Sequence, residues 1–486
     1  MSRRAQSKKK KTGSHRTWSM INSALLTLYT VLAAFFTYQM FRHHFLAFRH
    51  LNVILTGILV AIFVFGLLLL LSKKAKIGTA IVLLVFTLLS AAGLYVVQST
   101  VQVAEKINKT ASYSETEMRV VVAADSPISD VSELTTVQAP TKNDSENIQK
   151  LVNDVQQNKG VTLTTETVDS YQHAYENVTG GSTQAMVLNG AYSSLLELTY
   201  PDYEEKLKTI YTYKITEKVA PEKQTQANAN VLNLYISGID TYGSISTVSR
   251  SDVNIIMTVN MDTHKVLLTT TPRDSYVQIP DGGGDQYDKL THAGIYGVET
   301  SMKTLENLYG IDINYYARIN FTSFLKLIDL IGGVKVYNDQ AFSTSKYDFP
   351  IGEIDLNSEK ALQFVRERYS LTNGDADRGR NQQKVITAII NKLASVDSIA
   401  NFSNIVSGLQ DSLQTNMSLE TVMQFANNQL SSKNPFTVTS QDVTGTGSTG
   451  QLPSYAMPGA SLYMMSLDQA SVDTAKLAIR DVMEGK

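Results

Sequence analysis

The sequence predicts an α/β protein in three parts: three N-terminal transmembrane helices, a small α/β accessory domain, and a mixed central sheet flanked by helices. Three observations predict it. Long uncharged apolar runs fill the first hundred residues, charge is segregated along the chain, and strand and helix patterns alternate beyond residue 230. The chain has 486 residues, 43% hydrophobic and 18% charged, with a formal charge of −2 that conceals the segregation. Residues 1–100 hold twelve Lys/Arg and no acid, whereas the rest holds 31 bases against 45 acids. The absence of cysteine excludes disulfides, thiolate zinc sites and cysteine nucleophiles. The acidic bulk argues against a nucleic-acid binder.

The apolar runs 20–41, 51–71 and 77–97 are each long enough to cross a bilayer. A cleavable signal peptide would be one short apolar segment, so three spans are expected, with a membrane region over 20–98. Seven bases in the tail 1–19 (Arg3, Arg4, Lys8, Lys9, Lys10, Lys11, Arg16) and three in the second loop (Lys73, Lys74, Lys76) outweigh Arg42 and Arg49 in the first. That bias places the N-terminus in the cytoplasm and everything after Thr100 outside a plasma membrane. The basic tail reads as a topology signal with affinity for anionic membrane lipid. No helix-turn-helix pattern follows it, so DNA is not an expected partner.

Residues 99–112 read as a stalk. An accessory α/β domain over 111–215 rests on strand-like runs at 118–124 and 184–188 and helical spacing at 145–157 and 191–198. Polar residues 216–229, with Pro221, form a linker. Strands are expected at 232–237, 253–260, 265–271, 313–319 and 334–337. Helices are expected at 298–308 and 321–331, closed by Gly310 and by Gly332 and Gly333, and at 358–365 and 377–393. This gives a further domain over 230–395, a mixed sheet with helices on both faces. Residues 396–486 read as a helical extension, with helices near 419–430 and 470–483 around a Gly/Thr/Ser-rich loop at 440–452.

The phosphate-binding, zinc-protease and serine-hydrolase signatures are all absent from the sequence. His264 and His292 have no spaced ligand partners, and Gly282–Gly284 lacks the following Lys-Ser/Thr of a phosphate loop. What stands out is arginine and aspartate gathered at the ends of apolar elements. Asp240 follows the first strand of the domain, Arg250 and Asp252 precede the second, and Arg273 and Asp274 close the third. If 253–260 and 265–271 form an antiparallel hairpin, connectivity brings Asp252 beside Arg273. Arg366 and Arg368, spaced by two, need extended backbone to point the same way. Asp375, Arg378 and Gln382 share one helical face, which Val385, Ile389 and Leu393 continue as an apolar stripe. Guanidinium forks suit phosphate oxygens, and aspartates among them suit a divalent cation, so the pattern points to a pyrophosphate with Mg²⁺ (or Mn²⁺). A set of structural Arg–Asp bridges is the alternative.

These segments resemble the LytR–CpsA–Psr family. The resemblance is carried by GIDTYG at 238–243, SRSDVNIIMTVN at 249–260, TTTPRDSYV at 269–277 and DKLTHAGIYG at 288–297, and further by YYARINFTSFLKLIDLIGGVKVYND at 315–339, FVRERYS at 364–370 and D-x-x-R-x-x-x-Q at 375–382. Three spans ahead of an accessory module also match the family's capsule-locus members. The resemblance implies an extracytoplasmic phosphotransferase of a Gram-positive bacterium that moves capsular polysaccharide from a polyprenyl-pyrophosphate carrier to peptidoglycan. Other capsule-assembly proteins would be further partners. It implies Asp240 and Asp252 as metal ligands, and Arg273, Arg366, Arg368, Asp375 and Arg378 as catalytic residues. Arg250, Lys289 and Gln382 would bind substrate. Asn381 stands where many members have arginine and is left out of the site. Two other classes remain open on sequence: a non-catalytic regulator of polymer length, and a transcription regulator acting through the basic tail.

Overall fold

A computed structural model describes residues 2–72, 75–218, 230–239, 245–393, 401–432 and 436–486, with backbone alone for 2–16. Asp240, Lys73, Lys74 and linker residues 219–229 lie outside the described residues. The chain divides into two compact units, one of residues 1–106, 394–407 and 418–435, the other of residues 107–393, 408–417 and 436–486.

The first unit contains three helices long and apolar enough to span a membrane, over 17–42, 48–72 and 76–110. Small residues let them approach closely: a Cβ on Gly66 would stand 2.9 Å from Leu83. The buried Tyr29 hydroxyl donates to the Leu59 carbonyl at 2.7 Å. The loop after the first helix meets the helix Leu419–Ser431, where His43 Nδ1 lies 2.7 Å from Glu420 Oε1 and Asn427 bridges the Phe48 amide and the His44 carbonyl. The third helix runs unbroken from Lys76 to Thr110, so the expected stalk is a continuation of that helix. Uncharged residues up to Val103 keep helical hydrogen bonding favourable without a breaker.

The second unit begins with a five-stranded sheet in the order Thr164–Thr167, Thr136–Ala139, Ala185–Asn189, Tyr113–Ala123, Leu207–Lys218. The last strand extends to Lys218, so residues 216–218, expected in the linker, are sheet. One face packs Val120, Val122 and Val187 on Leu151 and Val155 of the helix Ser145–Lys159. The alternate residues Val121, Met186 and Leu188 pack against Tyr171 and Tyr175, and this core continues into Val248, Ile295, Ala456 and Met457.

The central sheet has six strands in the order Leu413–Thr415, Tyr315–Ile319, Val231–Ile239, Ser251–Asn260, Lys265–Thr270, Thr437–Asp442. Its pairings are mixed, with the 315–319 and 437–442 strands parallel to their inner neighbours and the other pairs antiparallel. Both edges come from beyond residue 395. The expected domain boundary therefore cuts the sheet, and 396–486 is no helical extension. The 440–452 stretch enters the strands Thr437–Asp442 and Gly445–Thr449. The 334–337 stretch likewise pairs outside this sheet, with Gly352–Leu356. On one face Tyr235, Ile256 and Leu267 meet the helices Val298–Tyr309 and Gln469–Met483. The other face carries Ile236 and Gly238 into a cleft roofed by the helices Phe321–Leu330, Ser358–Arg366 and Asp375–Leu393.

Candidate active site

Hairpin register builds the centre of the cleft. Ile255 pairs with Thr270, and continuing that register three residues brings Asp252 opposite Arg273. Arg273 Nη1 stands 2.5 Å from Asp252 Oδ2, and both side chains are largely buried. Thr291 joins the segment that follows: its hydroxyl donates to Asp252 Oδ1 at 3.0 Å and its amide to the Arg273 carbonyl at 2.9 Å. Close approach requires glycine at 238, where a Cβ would lie 2.6 Å from the Val253 side chain.

The remaining arginines arrive from the roof. Arg366 ends its helix, Glu367 is extended (φ −62°, ψ 138°), and Arg368 follows, so both flanking side chains line the same cleft. The Arg366 guanidinium lies 4.1 Å over the Phe321 ring and that of Arg368 4.6 Å over Tyr369. Asp375 and Asp377 open the next helix, where carboxylates favour the positive end of the helix dipole. Arg378 lies 2.5 Å from Asp375, one turn away. Gln382 lines the cleft and donates to the Val365 carbonyl at 3.2 Å. Buried Gln383 ties this helix to the sheet through Thr270, Gln441 and Asp442.

The sequence-derived candidates thus fall into three groups. Asp252, Arg273, Arg366, Arg368, Arg378 and Gln382 line one cleft of about 290 Å³. Arg250, Asp375 and Lys289 stand behind it. Arg250 is buried with its charge acting on Asp252, Asp375 holds Arg378, and the Lys289 ammonium is ion-paired with buried Asp274, beside Arg273. Asp240 is the third group, outside the described residues. Thr291, Phe321 and Tyr369 carry the arrangement without having stood out as site residues in the sequence. A threonine or an aromatic beside an arginine has no distinctive spacing.

Burial pushes the Asp252 carboxyl up, but the charges of Arg273, Arg250 and Arg378 and the Thr291 hydroxyl outweigh it and hold the group below the ordinary carboxylate range. Burial, with repulsion from Arg273 and Arg368, draws Arg378 down against the pull of Asp375 and Asp252. Among the described lining residues, four arginines face one carboxylate, so the mouth is a site for a polyanion. Ile236, Ile319, Phe324, Val385, Ile386 and Ile389 add an apolar lining to the same cleft.

No group of three or more His, Cys, Asp or Glu gathers among the described residues. Asp252 already accepts one hydrogen bond on each oxygen, which leaves a lone pair on each. One or two carboxylates completed by phosphate oxygens and water suit Mg²⁺ or Mn²⁺, so the donor set fits such an ion only together with a phosphate ligand.

A family model described as the LytR_cpsA_psr family matches residues 200–476. A second, described as DNA polymerase processivity factor, matches residues 73–188, under a quarter of the chain. Among curated proteins, the polyisoprenyl-teichoic acid–peptidoglycan teichoic acid transferase TagU of Enterococcus faecalis is 38% identical over 241 residues, covering 48% of this chain and 78% of the relative. The protein of the same name from Oceanobacillus iheyensis is 31% identical over 270 residues, with 54% and 78% covered. Similar solved structures include B. subtilis TagU (27% identity, 53% and 98% covered, TM-score 0.42) and TagT bound to LIIa-WTA (27%, 55% and 94%, 0.42).

Proposed function

The chain belongs to the LytR–CpsA–Psr family, and from that premise we propose that it is a membrane-anchored extracytoplasmic phosphotransferase. Its donor is a capsular polysaccharide carried on polyprenyl pyrophosphate, and its acceptor is a hydroxyl of peptidoglycan. One observation carries the reading: a single cleft combines four arginines with a set of apolar side chains. A lipid-linked diphosphate has the same two halves, and family membership narrows the reaction to glycopolymer transfer.

In this reading Arg273, Arg366, Arg368 and Arg378 hold the diphosphate, with Gln382 helping and Arg250 supporting the charge from behind. Carboxylates fix Arg273 and Arg378 before substrate arrives, the Phe321 ring supports Arg366, and Arg368 lies over the exposed Tyr369 ring. Asp375 orients Arg378, and Lys289 positions Arg273 through Asp274. The wall hydroxyl attacks the sugar-linked phosphorus. The bond to the bridging oxygen breaks, polyprenyl phosphate leaves with its electron pair, and the hydroxyl proton ends on that basic monoester or on solvent. Asp252 and Asp240 are the carboxylates we assign to Mg²⁺ or Mn²⁺, which when bound neutralises charge on the phosphate oxygens.

Contact between the first loop and the helix Leu419–Ser431 supports a topology with both on the outer side of the membrane. The test is transfer by the full chain in detergent, with polyprenyl-pyrophosphate-linked oligosaccharide as donor and peptidoglycan as acceptor. Wild type should form a phosphodiester that Asp252→Ala and Arg378→Ala do not. Full turnover by both variants would remove the assignment.

A further inference from the structure

A second concavity, of about 510 Å³, lies in the same folded unit and shares no lining residue with the arginine cleft. Its walls come from two modules. The accessory domain supplies Asn143, with Lys142 and Asp169, while the hairpin of strands Tyr276–Ile279 and Gln286–Lys289 and the loop at 453–458 supply Tyr276, Tyr287 and Tyr455.

The two walls are held rigidly. The accessory core of Val121, Met186 and Leu188 is continuous with Ile295, Ala456 and Met457, so the modules share one hydrophobic interior. Asp144 fixes the accessory wall by accepting from Asn147, Tyr171 and Asn189 at 2.5–2.8 Å. Asp288 fixes the other by accepting from the Ser454 hydroxyl at 2.9 Å and the Ala456 amide at 2.8 Å. The Tyr276 and Tyr287 rings lie 5.4 Å apart, tilted by 38°, and Tyr287 is 52% exposed. A residue so large, left open beside a second ring on a rigid wall, adds nothing to the core.

The lining chemistry selects the ligand class. Lys142 and Asp169 carry opposite charges, so this cleft has no cation excess, unlike the arginine mouth, and does not suit a phosphate chain. Tyrosine rings offer faces to the C–H side of a pyranose, and the Asn143 and Gln286 amides and the Asp169 carboxylate offer paired partners for its hydroxyls. The strand Gln286–Lys289 lines this cleft at Gln286 and, at its other end, supports the arginine cleft from behind through the ion pair of Lys289 with Asp274 beside Arg273.

We propose that this cleft is a carbohydrate subsite that holds an uncharged stretch of glycan while the chain's reactive end lies in the arginine cleft. The inference rests on the transferase reading for what the glycan is doing there, and gives the accessory domain a part in selecting substrate. Neutral glycan reaches the site either from the donor polysaccharide or from a peptidoglycan strand.

The test is saturation-transfer NMR and calorimetry on the full chain in detergent. Two probes separate the sources: phosphate-free repeat-unit oligosaccharide of the host's capsule, and peptidoglycan strands stripped of their peptides by amidase. At least one should bind, and Tyr287→Ala and Tyr455→Ala should each weaken it at least tenfold, with Tyr287→Phe restoring most of the affinity. The same Ala variants should raise severalfold the KM for whichever long glycan binds, donor or peptidoglycan, and leave kcat with a one-sugar version of that substrate unchanged. Arg273→Ala should keep glycan binding, so its loss of turnover would bear on the transferase reading alone. Binding of neither glycan, or equal binding by wild type and both Ala variants, would overturn the subsite.

Discussion

Replacing Arg273 by alanine strips Asp252 of its nearest positive charge and leaves a carboxylate whose side chain is 16% exposed. Breaking a fully buried pair costs about 3–5 kcal/mol. Here some solvent reaches both partners, and Arg250 and Arg378 still attract the carboxylate, so we expect about 2–3 kcal/mol at neutral pH. In a folded unit this large each kcal/mol is worth about 2 °C, so melting should fall by about 4–6 °C. The pH dependence has a fixed sign. In the wild type Asp252 titrates below its unfolded value, so its stabilisation is complete above about pH 4 and is lost as pH falls through the lowered folded value. In the variant the folded value rises, so the gap between the two proteins should be widest at neutral pH and should close in acid. Circular dichroism melts of the full chain in detergent, from about pH 3 to pH 8, read this directly. Transfer should drop by about 10²–10³, the loss typical of one fixed donor to a developing anion. Arg273→Lys should recover most of the stability and little of the rate, because an ammonium lacks the guanidinium fork. Unchanged melting at neutral pH with undiminished transfer, or a gap that does not narrow in acid, would refute the coupling.

Phe321→Leu removes the ring beneath Arg366 and should raise KM for the lipid-linked donor severalfold in a transfer assay, in keeping with a cation–π contact of about 0.5–2 kcal/mol. Gly333→Ala forces a side chain into φ +78° with its Cβ 2.9 Å from the Leu356 carbonyl. It should lower stability by at least about 1–3 kcal/mol in denaturant titration. Because the chain has no cysteine, single replacements report topology cleanly: Ala47→Cys should react with an impermeant thiol reagent on intact cells, and Ser72→Cys only after lysis. A chain ending at residue 395 should be recovered aggregated, because it lacks both edge strands of the central sheet and the helix that covers Tyr235 and Ile256.

Much of the fold was legible where one physical signal dominated. Uncharged runs marked the membrane helices, and Gly310 (φ +64°) and Gly332 (φ +71°) ended their helices where left-handed backbone was required. The hairpin was legible enough to pair Asp252 with Arg273 from connectivity. The sheet edges were not. Leu413–Thr415 is three residues long, and Thr437–Asp442 is mostly polar because an edge strand buries only part of each face. Neither gives the alternation that marks a strand in a sequence. The accessory edge strand Thr164–Thr167 was lost for the same reason, and Thr136–Ala139, an interior strand, because four residues are too few to show its alternation. Within the site, charged residues stood out by type, while Thr291 and Phe321 act through partners supplied by other segments and carry no local mark.

The same distinction decides between a site and a set of structural ion pairs. Pairs made for stability alone would leave charges balanced within each pair and dispersed over the surface. Two such pairs do occur, Asp252 with Arg273 and Asp375 with Arg378, yet Arg378 also acts on Asp252, and Asp375 on Arg273, so the pairs are coupled. Arg366 and Arg368 add charge to the same lining from a turn whose extended Glu367 turns both inward. Burial, with repulsion from Arg273 and Arg368, draws Arg378 down, while Asp252, Asp274 and Asp375 hold Arg273 firmly in its charged form. Carboxylates hold Arg273 and Arg378, and the Phe321 ring lies under Arg366. An anion entering this cleft meets guanidiniums from several segments of the chain in one lining, which favours a multiply charged ligand over a neutral one.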